Sequence, residues 1–327
     1  MRWCWRALSA ASVAAVLVVA LAMLLFTPGP AIAGPSQSVW HPHPGDSTAL
    51  ARTYGVNERA MKTAGVPFAR WTGQGRQFLA FDSRGNGRVV EVLGDLGAAD
   101  RIAVLVPGVS TTAVNFNTGL DDVRDRAPAV QARALYDATQ AAAPGQHVAV
   151  IAWLGYDAPQ GVGRTAAREE LARAGASALD RFAANLAILR PKAAVTLIGH
   201  SYGSVVTGLA AAGLPSQVTD LVAVGSPGMG VSRAADLHTS ARVWAGQSAQ
   251  DWIDWVPAFR VWGAGHGPLP TTSGFGGRVF GTNGAIDHDH YLAPGTQSLG
   301  NIVDIVLGLD SSVTRPSLPA LIVHASG

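Results

Sequence analysis

Cysteine is all but missing from this chain: one residue, Cys4, in 327. A disulfide scaffold needs pairs of cysteines and an all-cysteine zinc site needs four, so neither fits. Charge is scarce as well. Charged residues make up 14% of the sequence and hydrophobic residues 48%, whereas soluble domains carry roughly 25% charge. A disordered chain shows the reverse balance. The 24 basic and 22 acidic residues leave a formal net charge of +2. That is not the basic excess of a nucleic-acid binder, and no nucleic-acid partner is expected. Lysine is rare too, with 2 against 22 scattered arginines, a bias that reads as codon composition. No segment, the glycine-rich 274–284 included, matches a dinucleotide or P-loop fingerprint, so no cofactor is implied.

What is present begins with a targeting pattern over residues 1–33. Arg2 and Arg6 precede 20 uncharged residues, 7–26, and Ala31-Ile32-Ala33 supplies the small residues for cleavage before Gly34. The expectation is export, with either a cleaved signal peptide or an uncleaved anchor. Twenty largely apolar residues can just span a bilayer core of roughly 30 Å, so membrane association through 7–26 stays open. Without Arg2 and Arg6 the remaining chain has 22 basic residues (24 less two) against 22 acidic ones. Cys4 would leave with the same segment.

Residues 34–75 read as a polar, turn-rich extension with one helix near 47–64. Strand-like runs at 77–82 and 88–93 flank Ser83-Arg84-Gly85-Asn86-Gly87, where Asn-Gly signals a hairpin. Short apolar runs then alternate with helical stretches. Strands are expected at 102–106, 148–153, 195–198, 221–224 and 242–245, and helices near 120–143, 165–189, 201–212 and 298–309. The helix near 165–189 places Leu171, Ala178, Phe182, Leu186 and Leu189 on one face. Such alternation predicts an α/β fold, a mostly parallel sheet covered on both faces. No repeat or low-complexity linker interrupts it, so 76–310 is expected to form one domain, with a Pro/Ser tail over 311–327.

The strand at 195–198 runs into Gly199-His200-Ser201-Tyr202-Gly203-Ser204 and then into a helical run. In a chain with 38 glycines, G-x-S-x-G can arise by chance. Between a strand and a helix it has a physical reason. The turn is too tight for side chains near Ser201, the serine is lifted on strained backbone, and the helix N-terminus points at a developing oxyanion.

This motif resembles the nucleophile elbow of the α/β-hydrolase fold. Trp153-Leu154-Gly155-Tyr156-Asp157-Ala158-Pro159 is similar to a segment of an exported actinobacterial branch of uncharacterised α/β-hydrolases. The resemblance covers about residues 76–310. It implies an esterase-like serine hydrolase with a Ser–Asp–His triad in that chain order. Asp251 is then the favoured acid, because Asp251-Trp252-Ile253 is similar to the family's Asp-Pro-Val with tryptophan replacing proline. Asp254 and Asp236 remain alternatives, and each acid could equally be a loop carboxylate or a cap. Asp220 precedes its apolar run and would lie at the wrong end of the sheet. For the base, the family pattern His-x-x-Tyr maps onto His288 and Tyr291 within Asp287-His288-Asp289-His290-Tyr291, and His290 is the alternative. The oxyanion donors would be the amides of Tyr202 and of Val109, the latter in Pro107-Gly108-Val109-Ser110-Thr111.

Three other readings stand beside this one. His288-x-His290 with flanking aspartates could begin a metal site, but no third ligand cluster points to it, so no metal is expected. An acyltransferase would use the same residues with an alcohol in place of water, and a non-catalytic binding protein could reuse the scaffold. Trp244, Trp252, Trp255 and Trp262 crowd the expected acid, as core residues or as an apolar wall for an acyl chain. The substrate expected is a small-molecule or lipid ester.

Overall fold

The computed structural model describes residues 47–73, 75–256, 258–260 and 264–316. The targeting segment 1–33 and Trp262 lie outside them. Among the described residues no helix is long and apolar enough to cross a membrane.

Eight strands form one sheet: β1 (Gln77–Asp82), β2 (Arg88–Leu93), β3 (Arg101–Val106), β4 (Val148–Leu154), β5 (Ala194–His200), β6 (Val218–Val224), β7 (Arg242–Gly246) and β8 (Arg278–Val279). Their order is β1-β2-β4-β3-β5-β6-β7-β8. The β1–β2 hairpin joins β4 antiparallel, and every later pair is parallel. Among the described residues, five longer helices accompany the sheet: α1 (Ser47–Ala64), α2 (Pro128–Ala142), α3 (Glu170–Leu189), α4 (Tyr202–Ala210) and α5 (Gln297–Leu307).

Side chains alternate across each strand, so the sheet divides the core in two. Ile102, Val104 and Val106 of β3 pack on one side with residues of α3 and α4, while Ala103 and Leu105 pack on the other with residues of α2 and α5. α1 reaches both layers, with Leu50 in one and Met61 in the other. The start of the tail is packed as well. Thr314 exchanges backbone and side-chain hydrogen bonds with Asn301 and Gly281.

Expected and observed elements differ where local chemistry interrupts a periodic pattern. The stretch 120–143 does not run as one helix. Single turns at Leu120–Asp122 and Arg124–Arg126 come first, and α2 starts at Pro128, a residue preset for a helix start. The stretch 165–189 breaks at Arg168, which is extended between a short turn (Arg164–Ala167) and α3. Of the face expected for α3, Ala178, Leu186 and Leu189 are buried, together with Ala172, Ala176, Leu179 and Ala183, while Leu171 and Phe182 are half-buried at the margin. Strand β6 begins at Val218 and therefore contains Asp220. That carboxylate is buried and takes hydrogen bonds from Arg242 (2.7 Å from Nε and from Nη2) and from Trp244 Nε1 (2.7 Å). It is a structural anchor, remote from the strands' C-terminal ends.

Topology sets where chemistry can happen. β3 and β5 are neighbours in register, with Val106 opposite Gly199, yet their chains leave toward opposite faces, into α2 and α4. Where neighbouring strands diverge in this way a crevice opens beyond their carboxyl ends. Loop 107–111 and Ser201 flank that crevice.

Candidate active site

The turn from β5 into α4 holds Ser201 at φ 54°, ψ −128°, a left-handed conformation unfavourable for a residue with a side chain. Fixed bonds hold it there. The Ser201 amide donates to Val224 O (3.0 Å), and Ser204 Oγ donates to Ser201 O (2.6 Å). The glycines are steric necessities: a Cβ on Gly199 would lie 2.5 Å from Ser204 Cα, and one on Gly203 would lie 2.1 Å from Val106 O. Ser201 is the residue preceding α4, so the Tyr202 amide is the first of that helix's free N-terminal donors.

Facing Ser201 is the loop after β3. A Cβ on Gly108 would come within 2.7 Å of Ser201 Cβ, so only glycine lets the two backbones approach. The Ser110 amide donates to Pro159 O (2.7 Å), whereas the Val109 amide makes no hydrogen bond among the described residues. The segment 153–159, which sequence reading tied only to a resemblance, buttresses this loop. Tyr156 Oη donates to Pro107 O (2.6 Å), and Arg88 pairs with Asp157 (2.6 Å) behind it.

On the other side, His288 Nδ1 lies 2.8 Å from Asp251 Oδ1 and 2.9 Å from Oδ2. The same carboxylate accepts from Tyr291 Oη (2.6 Å) and from the Ile253 amide (2.8 Å). Burial pushes the Asp251 carboxyl upward, but hydrogen bonding from His288, Tyr291 and Ile253 outweighs it, so the net shift is below the ordinary aspartate value. Asp251 is therefore an anion at neutral pH, and the proton between it and His288 sits on Nδ1. The other ring nitrogen, Nε2 of His288, is buried and has no hydrogen-bond partner among the described residues.

These groups surround one cleft of about 270 Å³, lined by Gly108, Val109, Ser201, Trp252 and His288 among others. The alternatives lie elsewhere. Asp254 is largely exposed, and the partial desolvation of its carboxyl, then the charge of Asp251, raises it. Asp236 pairs with Arg233 (3.4 Å) on the surface. His290 bonds to Asp287 (2.6 Å) and approaches Asp125 (3.3 Å); the hydrogen bond to Asp287 raises its imidazole. His288 and His290 thus turn to different carboxylates and do not share a ligand. The tryptophans divide: Trp244 is core, Trp252 lies 4.8 Å from the His288 ring and walls the cleft, and Trp255 is 87% exposed.

Two features of the site go beyond the sequence expectations. Tyr291 enters those only as part of a pattern, yet its hydroxyl binds Asp251 directly and accepts the Ser248 amide (2.8 Å). Its three-residue offset from His288 was the available signal. Arg126 and Asp289, joined at 2.6 Å on the cleft wall, left no signal, because 163 residues separate them.

A sequence profile of the family described as alpha/beta hydrolase matches residues 82–261. The chain belongs to the alpha/beta hydrolase family. Similar chains include the uncharacterized protein Rv2079 of Mycobacterium tuberculosis, 31% identical over 271 residues (74% of this chain, 40% of that one). Uncharacterized protein Mb0988c of Mycobacterium bovis is 37% identical over 149 residues (44% of this chain, 54% of that one). The chain thus spans only about 40–54% of the length of these relatives. Among solved structures, an α/β serine hydrolase without lid from Xanthomonas campestris has TM-score 0.43 at 16% identity, covering 76% of this chain and 98% of its own. Esterase PE8 has TM-score 0.43 at 17% identity, covering 66% and 96%.

Proposed function

We propose that this alpha/beta hydrolase is an exported serine hydrolase that cleaves ester-type acyl bonds, with Ser201 as nucleophile, His288 as general base and acid, and Asp251 as its orienting carboxylate. Ser201 Oγ attacks the substrate carbonyl carbon while its proton passes to His288 Nε2. The tetrahedral oxyanion takes hydrogen bonds from the Tyr202 and Val109 amides. Collapse breaks the ester C–O bond, and the imidazolium gives its proton to the departing alkoxide. Water then attacks the acyl-enzyme, His288 takes its proton, and the second collapse releases the acid and restores Ser201.

The observation that carries this reading is the state of His288. Its Nδ1 is committed to Asp251, its Nε2 is buried without a partner among the described residues, and the residue lines the same cleft as Ser201. Buried side-chain polar atoms are mostly hydrogen-bonded. His266 Nδ1 is likewise without a partner among the described residues, but its other nitrogen meets a backbone carbonyl rather than a carboxylate, and His266 does not line the cleft. Export is supported by the pattern over residues 1–33, and N-terminal sequencing of the secreted product should begin at Gly34.

A fluorophosphonate probe tests the mechanism. Wild type should label covalently and Ser201→Ala should not. Failure of wild type to label, or equal labelling of Ser201→Ala, refutes the proposal.

A further inference from the structure

We infer that His200 is a positioning residue for His288: its ring hydrogen bond ties the histidine loop to the nucleophile elbow and aims Nε2 of His288 into the cleft. The inference rests on the roles given above to Ser201 and His288.

His200 Nε2 lies 2.7 Å from the backbone carbonyl of His288, and both residues are buried. A carbonyl only accepts, so His200 Nε2 carries the proton and the ring is the neutral Nε2–H tautomer. The donor stands on well-fixed backbone, since His200 ends β5 and pairs with Val224 of β6. The acceptor does not. His288 lies between β8 and the turn His290–Leu292, in no regular element.

The hydrogen bonds to Asp251 fix the imidazole at Nδ1 but leave it free to pivot about that end. A second tether at the residue's own carbonyl limits the pivot. The two rings are 4.9 Å apart with planes at 41°, so His200 also bounds the space His288 can occupy. Burial, then the nearby His288, pushes the His200 imidazole down to about 4, which keeps it uncharged beside a ring that must itself become cationic.

Two substitutions separate the hydrogen bond from packing. His200→Phe keeps an aromatic ring and removes the donor. His200→Gln removes the ring and keeps an amide N–H near the Nε2 position. The rate constant for fluorophosphonate labelling should fall on the order of tenfold to a hundredfold in His200→Phe, the cost of an angstrom-scale misplacement. His200→Gln should recover most of that loss. Equal rates in wild type and His200→Phe, or equal losses in both variants, overturn the inference.

A second measurement reads the placement of His288 without chemistry. The downfield proton resonance of the His288 Nδ1–H···Asp251 bond should persist in wild type and His200→Gln and broaden or vanish in His200→Phe. If wild type does not label, the serine-hydrolase reading fails on that result, and the resonance alone decides the role of His200. An unchanged resonance in His200→Phe overturns the inference.

Discussion

The two walls beside Ser201 are held in place by different physics. The wall of the proposed base is made of side chains from distant parts of the sequence: Asp251, His288, Tyr291 and His200, linked through a buried carboxylate and two imidazoles. The wall of loop 107–111 presents backbone. Side chains from neighbouring segments pin its peptide planes, as Tyr156 does at Pro107 and Asn115 does at Ser110 O (2.8 Å). A charge-assisted side-chain network is strong but fails as a unit when one member goes. A backbone wall shares its load among neutral hydrogen bonds, each contributing roughly 1 kcal/mol net. The first wall should therefore be brittle toward substitution and the second tolerant, except where a Cβ cannot fit.

The largest effect should come from breaking the charged wall. Asp251→Asn keeps the shape but removes the anion that holds His288 in the Nδ1–H tautomer and stabilises its imidazolium. Turnover of a p-nitrophenyl ester should fall by about 10⁴-fold with KM little changed, by analogy with the same change in a Ser–His–Asp enzyme. His288→Ala should cost at least as much, whereas His290→Ala should retain nearly full activity. Full activity in His288→Ala would refute its assignment as base.

Next in size is the exceptional point on the backbone wall. Gly108→Ala places a methyl group 2.7 Å from Ser201 Cβ. The loop must retreat, and the Val109 amide leaves the oxyanion position with it. Loss of one such donor costs on the order of 10²–10³ in kcat. A rate within threefold of wild type would remove Val109 from the oxyanion site.

How much of this was legible in the sequence differs between the walls. The elbow was readable because a tight turn demands glycine at fixed offsets from Ser201, and the apolar runs of β3 to β7 were readable because strands buried on both faces are continuously apolar. The sheet order, the two-residue β8 and the break at Arg168 were not readable, since they depend on tertiary contacts that periodicity does not encode, whereas Pro128 was a local signal for the start of α2. The acid and the base were narrowed only through resemblance to a family pattern. The bonds between Asp251, His288 and Tyr291 span 37 and 40 residues, and nothing local specifies them. The hydrogen bonds of the 153–159 segment to loop 107–111 have the same cause: both segments follow neighbouring strands, β4 and β3, a fact of topology.

Smaller effects test the tolerant wall. Tyr156→Phe removes the hydroxyl that donates to Pro107 O at 2.6 Å and leaves a buried carbonyl without that bond. Stability should drop by about 1–3 kcal/mol, read as a shift in the urea midpoint at unchanged m. Because three further bonds still hold the loop (Ser110 N to Pro159 O, Asn115 Nδ2 to Ser110 O, Gly161 N to Ser110 Oγ), kcat should change less than tenfold. A hundredfold fall would mean that this wall is as brittle as the other.

The smallest effect is one of pH. Burial holds the His200 imidazole at about 4 in the folded protein, against an ordinary value of 6.5. Between those values the unfolded chain takes up a proton that the folded chain refuses. Unfolding is then favoured by acid, and stability falls as pH drops from 6.5 toward 4. One proton sets a limiting slope of about 1.4 kcal/mol per pH unit. His266, also pushed down by burial, adds to the slope with the same sign. His290, raised by Asp287, has the opposite sign, but its gain on acidification is made above its ordinary value of 6.5 and is complete below it, outside this window. Asp251, held low, loses stability only below the ordinary aspartate value of 3.8, outside this window. All three persist in His200→Gln, so the difference between the two stability-versus-pH curves isolates His200. Urea unfolding at pH 5 and pH 7 should show a shallower loss in the variant. Parallel curves would mean that His200 is charged, or free to become so, in the folded state, and the base wall would then hold two competing cations.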